Sequence, residues 1–194
     1  LGLHFVITGG GSPGAPAREL PILAPDGLFR RNREELPARL PADEIRRELE
    51  AQIQIFQVLA RKPPTHLDSH HHAALHPSVA PVFADVARDR SLRARASSEQ
   101  ERRRLRAAGV KTPDRFYDCF YAEGVSFETI ERILEDLPEG TSELMCHPGR
   151  PDAELQRSST YVMERGWELD VLCDPKIREI ASRSGIALRG FDAL

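Results

Sequence analysis

The sequence holds only three cysteines, Cys119, Cys146 and Cys173, odd in number and far apart. With no C-x-x-C pair they form no disulfide framework, and a reducing cytoplasm is the expected compartment. Long apolar runs are also missing, so no membrane span is predicted. Charge of one sign is lacking: the formal net charge is −3. That gives no general attraction to nucleic acid or to an anionic membrane, and Arg102, Arg103 and Arg104 make only a short local basic run. The chain opens on "LGLHFVI" with no initiator methionine, basic leader or signal-cleavage site. An apolar run of this kind belongs inside a domain, so the numbering is expected to begin partway through a longer protein.

What remains is an ordinary globular composition. The chain has 194 residues, 40% hydrophobic and 29% charged, which suits a single domain spanning residues 1–194 with a real core. Strands and helices alternate. Strands are predicted at 1–7, 65–71, 91–96, 142–148 and 186–191. A long Gly- and Pro-rich loop covers 9–40. Ile45, Leu49, Ile53 and Phe56 recur at helical spacing over 42–60, and Pro63-Pro64 stops that helix. Val79, Val82, Phe83 and Val86 line another helix, and 98–108 is a charged one. Ser126 caps a helix carrying Phe127, Ile130 and Leu134. Residues 160–183 are helical, broken near Asp174-Pro175. This order implies an α/β fold with a mainly parallel sheet. Its functional residues should sit at the carboxyl ends of the strands.

One stretch, "THLDSHHHAALHP" at 65–77, crowds five histidines and an aspartate into thirteen positions. A strand has period two, so His66, Asp68, His70 and His72 should share one face, with Leu67, Ser69 and His71 on the other. Four polar side chains on one face of a buried strand are costly unless a cation or a catalytic hydrogen-bond network satisfies them. Imidazole is a common ligand for zinc and other transition metals, and a nearby carboxylate orients such a ligand from behind. His4 and His147 lie at other predicted strand ends, so imidazoles from three strands are offered to one site. A lone histidine at a strand end is ordinarily just a polar residue; the number and placement here favour a metal or catalytic centre.

Gly9, Gly11 and Gly14 satisfy G-x-G-x-x-G after a strand. However, Pro13, Pro16 and Pro21 argue against the helix a pyrophosphate site needs. A loop flanking the site is the better reading. Cys119 is expected to be a packed thiol and Trp167 to serve helix packing. Phe116, Tyr117, Phe120 and Tyr121 could line a sugar site or fill a core. Arg93 and Arg95 share a face of the third strand, and either could reach the site.

"THLDSHHH", "GLHFVIT" and "ELMCHPG", in that order, together with "DG.F" at Asp26–Phe29 and "ELDVLCDP", resemble the YdjC-type carbohydrate deacetylases. The resemblance covers essentially the whole chain. It implies an irregular (β/α) barrel of the glycoside hydrolase/deacetylase type, truncated at its N-terminus, and a metal-dependent hydrolase that removes acetyl groups from N-acetylated sugars. By resemblance, His4 and His70 are metal ligands and His147 a candidate general acid. Asp68, His72 and Arg93 would contact substrate or support the ligands. The cofactor would be one divalent ion, Mg²⁺ or Zn²⁺. The partners would be an N-acetylated sugar or oligosaccharide and, in a homodimer, a second copy of the chain. The chain departs from the family twice. The strand ending in an Asp-Asp pair, source of the third ligand and the base, has no counterpart before Leu1. Ala74 stands where the family continues the histidine alternation, with His76 two residues on. Two other functions fit the same histidines: a metal-dependent phosphoesterase on a similar barrel, which would need more carboxylates or a second ion about 4 Å away, and a non-catalytic sugar- or metal-binding protein.

Overall fold

The computed structural model describes residues 1–194. The chain divides into two compact units, Leu1–Pro113 with Gly190–Leu194, and Asp114–Arg189.

The first unit is built on a three-stranded parallel sheet, ordered β1 (Leu3–Phe5), β2 (His66–Ser69), β3 (Arg93–Ala94). Helices α1 (Ala42–Ala60) and α2 (Val79–Asp89) connect the strands, and α3 (Glu99–Ala107) follows. Alternation decides which side of each strand is buried. Leu3, Phe5 and Leu67 enter the core, while His4, His66 and Asp68 lie on the opposite face. The core side meets Ile45, Leu49 and Ile53 of α1 and Val79, Phe83 and Val86 of α2. Each such side chain contributes roughly 1.5–3 kcal/mol by leaving water. Helix α1 occupies the predicted span. It ends at Arg61 in the left-handed conformation (φ 54°), ahead of Pro63-Pro64.

The loop of residues 9–40 is clasped to α1 by two buried carboxylates. Glu48 accepts the N–H groups of Gly14 (2.8 Å) and Ala15 (2.9 Å). Glu44 accepts those of Ile22 (3.0 Å) and Leu23 (2.8 Å). One turn on from Glu48, Gln52 clamps Val6 just beyond β1, accepting from its N–H at 3.0 Å and donating to its carbonyl at 2.6 Å. No helix opens after the glycines; the loop carries only two short 3₁₀ turns, Ala17–Glu19 and Arg33–Glu35.

The second unit holds a two-stranded parallel sheet, β4 (Arg115–Tyr117) beside β5 (Ser142–Leu144), and helices α4 (Phe127–Glu135), α5 (Ala153–Ser158), α6 (Met163–Leu172) and α7 (Pro175–Arg183). Ser126 caps α4 as expected, accepting the Thr129 N–H at 3.1 Å. The break at Asp174-Pro175 separates α6 from α7, with Asp174 capping α7 and proline in its first turn.

Several expectations are corrected. Strands are shorter than predicted, and β4 and α5 were not predicted. Residues 186–191 form no strand: Gly185 (φ 67°) ends α7, and Leu188 beyond it is 81% exposed, so the apolar alternation has nothing to pack on. The histidine strand stops at Ser69. Residues 70–75 form a 3₁₀ segment in which His71 (φ 51°) and His72 (φ 51°) are left-handed. The period-two assignment therefore holds for His66, Asp68 and His70, since Ser69 is still extended and His70 meets His4 on the Asp68 face, and it ends at His71 and His72.

Candidate active site

The site in the first unit begins with strand register. Parallel pairing sets His4 beside Asp68 on the face away from the core. There the His4 Nδ1 lies 3.0 Å from an Asp68 carboxylate oxygen. Arg95, just past β3, reaches the same oxygen at 2.9 Å. Burial alone would raise the Asp68 pKa. The hydrogen bond from His4 and the charges of His4, Arg95 and His66 outweigh it and hold the carboxyl below its ordinary range.

His70, the first residue past β2, keeps the parity of the strand and lies beside His4 of β1. Its Nδ1 stands 3.3 Å from His4 Nε2, with the rings nearly perpendicular at 77°. With the His4 proton placed on Nδ1 towards Asp68, its Nε2 lone pair faces His70. Two nitrogens bound at about 2.0–2.1 Å to one tetrahedral ion stand about 3.3 Å apart, so the spacing of this pair fits a shared cation. The carboxylate behind His4 is the partner that metal-bound histidines ordinarily have. Residues 1–194 assemble no group of three or more His, Cys, Asp or Glu donors.

His71, expected to face away, lies in the same cluster. Its ring is 3.8 Å from that of His70, and its Nδ1 is 3.1 Å from the Thr8 hydroxyl. The left-handed backbone at 71 and 72 causes this by ending the alternation. His72 turns aside to Ser97, Nδ1 to Oγ 2.9 Å. Gly9 (φ 94°) explains the glycine run: a Cβ there would stand 3.3 Å from His70 Nε2. Gly9 alone of the run lets backbone pass close to an imidazole; Gly11 has open space around it. His66 is packed rather than poised, stacked on Phe191 at 3.8 Å and seated over Gly2, where a Cβ would be 2.3 Å from its ring. Burial, aided by the charges of Arg95 and the N-terminus, lowers its pKa against the pull of Asp68. Of the two arginines, Arg95 is the one on Asp68; Arg93 donates to the carbonyls of Asp192 and Leu194 at 3.3 Å.

His147 belongs to the second unit, three residues past β5. Its backbone N–H donates to Glu168 of α6, a fully buried carboxylate. Its Nδ1 lies 3.9 Å from the other oxygen of that carboxylate, which accepts the Tyr161 hydroxyl at 2.5 Å. Burial, then the hydrogen bond to Glu168, pushes the Tyr161 pKa well up, so the hydroxyl remains a donor. Tyr121 stacks on Tyr161 at 4.3 Å and meets the His147 ring edge-on at 5.5 Å. Arg165 ties the group together, donating to the carbonyls of His147 (3.2 Å) and Tyr161 (2.9 Å).

Of the four aromatics weighed for a sugar site, Phe120 is core and Tyr121 is 44% exposed. Cys119 is exposed rather than packed. Trp167, expected to pack, is 52% exposed and lines an open cleft of about 420 Å³ with Arg150, Pro151, Met163 and Asp170. Sequence reasoning gave no role to Tyr161, nor to Glu168, which opens the "ELDVLCDP" stretch. Nothing in the spacing tied a glutamate on α6 to a histidine 21 residues earlier.

The chain is similar in sequence and fold to known proteins. A model of the YdjC-like protein family matches residues 1–183. A carbohydrate deacetylase of Thermoanaerobacter pseudethanolicus is 33% identical over 194 residues, covering 100% of this chain and 77% of the relative. A chitooligosaccharide deacetylase of Serratia marcescens is 35% identical over 204 aligned positions, covering 100% and 78%. Among solved structures, a protein of Enterococcus faecalis V583 described as a cellobiose-phosphate cleavage protein superposes with a TM-score of 0.90 at 28% identity, over 99% of this chain and 76% of that one. With the family matched over residues 1–183 and relatives of 33% and 35% identity aligned across the whole of this chain, the chain belongs to the YdjC-like protein family.

Proposed function

We propose that this protein is a metal-dependent hydrolase that removes acetyl groups from N-acetylated sugars, a chito-oligosaccharide or a related amide. The observation that supports it most is the His4–His70 pair, 3.3 Å apart and backed by Asp68, in a chain whose relatives are named carbohydrate and chitooligosaccharide deacetylases. On this reading the parallel strand–helix units are part of an irregular (β/α) barrel.

His4 Nε2 and His70 Nδ1 would hold the ion, Mg²⁺ or Zn²⁺, and Asp68 would keep His4 in the required tautomer. A divalent ion bound there supplies Lewis acidity towards the acetamide carbonyl and the attacking water. The pair gives two donors of an open site that ordinarily uses three. The third, and the base that takes the water's proton, are aspartates in the resemblance and have no counterpart in residues 1–194. His147 would act as general acid, donating a proton from Nε2 to the departing amine nitrogen as the C–N bond breaks. His71, held by Thr8, would limit the movement of His70.

The test is acetate release from N-acetylglucosamine oligomers, compared with phosphate release from a generic phosphate ester. Both are measured after chelation and after re-addition of Mg²⁺ or Zn²⁺. Acetate release that needs added ion and is lost in His70→Ala supports the reading. Phosphate release without acetate release would overturn it in favour of a phosphoesterase.

A further inference from the structure

We propose that Glu168 is a positioning residue for His147, fixing which ring nitrogen carries the proton and which points outward. The inference rests on the reading of His147 as general acid.

The argument starts from cost. A carboxylate with no exposed surface is expensive to bury unless several donors converge on it. Two do so here from separate segments. The His147 backbone N–H takes one oxygen and the Tyr161 hydroxyl takes the other at 2.5 Å. The histidine is thus gripped by its main chain, and its Nδ1 stands 3.9 Å from the oxygen shared with Tyr161. That is inside ion-pair range and too long for a hydrogen bond. Contacts of this kind are often long before substrate arrives and tighten in the complex. A carboxylate offers only acceptors, so it favours the tautomer with hydrogen on Nδ1 and leaves Nε2 as the atom that exchanges a proton with the substrate. Nearby groups steady the ring. Tyr121 and Tyr161 meet it edge-on at 5.5 and 5.9 Å, and Arg165 binds the His147 carbonyl. The pattern of buried carboxylate, imidazole and outward nitrogen is one by which enzymes orient a catalytic histidine.

The experiment combines nitrogen-15 NMR of the His147 ring with steady-state acetate release from N-acetylglucosamine oligomers. In the unaltered protein, neutral His147 should carry its proton on Nδ1. Finding it on Nε2 overturns the proposal without any variant. Glu168→Gln presents an amide that can either donate or accept. It should erase the tautomer preference and lower kcat about tenfold or more with KM within about twofold. A Glu168→Gln protein that folds and keeps both the Nδ1 proton and kcat also overturns it. Tyr161→Phe serves as the structural comparison: it removes a hydrogen bond and should lower the melting temperature while leaving the Nδ1 proton in place. Loss of that proton in Tyr161→Phe would transfer the orienting role to the tyrosine and sink the assignment to Glu168. The underlying reading fails separately. If His147→Gln releases acetate at the unaltered rate, His147 is not the acid, whatever its tautomer.

Discussion

His4 and His70 stand 66 residues apart in the chain, yet their facing ring nitrogens are 3.3 Å apart. Two local events produce this. Parallel register places His4 next to Asp68, and the extended backbone at Ser69 (φ −140°, ψ 138°) keeps His70 on the same face, beside His4. The left-handed residues that follow, His71 and His72, end the alternation only after His70 is placed.

His4→Ala and His70→Ala should each abolish stoichiometric binding of Zn²⁺, measured by metal analysis after dialysis. Asp68→Asn should weaken it by about 10–100-fold, because the carboxylate fixes the His4 tautomer. His71→Ala should also weaken it, by a smaller factor, since its ring lies against His70. Equal metal content in His70→Ala and the unaltered protein would show that the pair binds no ion.

Gly9→Ala tests the close approach at the glycine run. Its φ of 94° is unfavourable for any residue with a side chain, and the new methyl would press on His70 Nε2. The strain is of order 1–3 kcal/mol. Both melting temperature and metal affinity should fall, whereas Gly11→Ala, with open space around it, should change neither appreciably. Metal affinity unchanged in Gly9→Ala would show that the loop does not constrain the imidazole.

Glu101 supplies a pH dependence. It sits in the first turn of α3 and accepts the Ser97 N–H at 2.7 Å, while Ser98 caps the Glu101 N–H. Burial raises its pKa from 4.5 to about 6, despite the opposing Ser97 hydrogen bond and nearby arginines. A carboxyl with a raised folded-state pKa binds protons more readily when folded. It therefore destabilises the protein above pH 6 and ceases to do so as pH falls towards 4.5. Glu101→Gln keeps the acceptor without the charge. It should be more stable than the unaltered protein by up to about 2 kcal/mol at pH 7, the gap closing by pH 4.5. Urea melts across that range would show it, and a pH-independent gap would contradict it.

Glu48→Ala removes the acceptor for Gly14 and Ala15. The buried Ala15 amide loses its partner, at about 1–3 kcal/mol, while the more exposed Gly14 amide can turn to water. Unfolding free energy should drop accordingly, and proteolysis within residues 9–40 should accelerate. Unchanged protease resistance would mean the loop is held by other contacts.

Much of this was legible from residue spacing. The α1 repeat of Ile45, Leu49 and Ile53 marks a face that is in fact buried, and Ser126 marks a true cap. His4 and Asp68 could be placed on one face because strand parity survives to Ser69. It carries one residue more, to His70, and no further. Whether a chain continues extended or turns left-handed at His71 depends on what lies beside it, here Thr8 and the Gly9 backbone, which come from a distant segment. The same limit hid Glu168, whose partners lie on another element, and it made 186–191 look like a strand because apolar spacing carries no record of burial.

Both carboxylates that clasp the long loop grip main-chain amides and take no side chain from it. The anchoring is therefore indifferent to which residues occupy those loop positions, prolines excepted. Composition there is free to drift without the loop beside His70 losing its mooring.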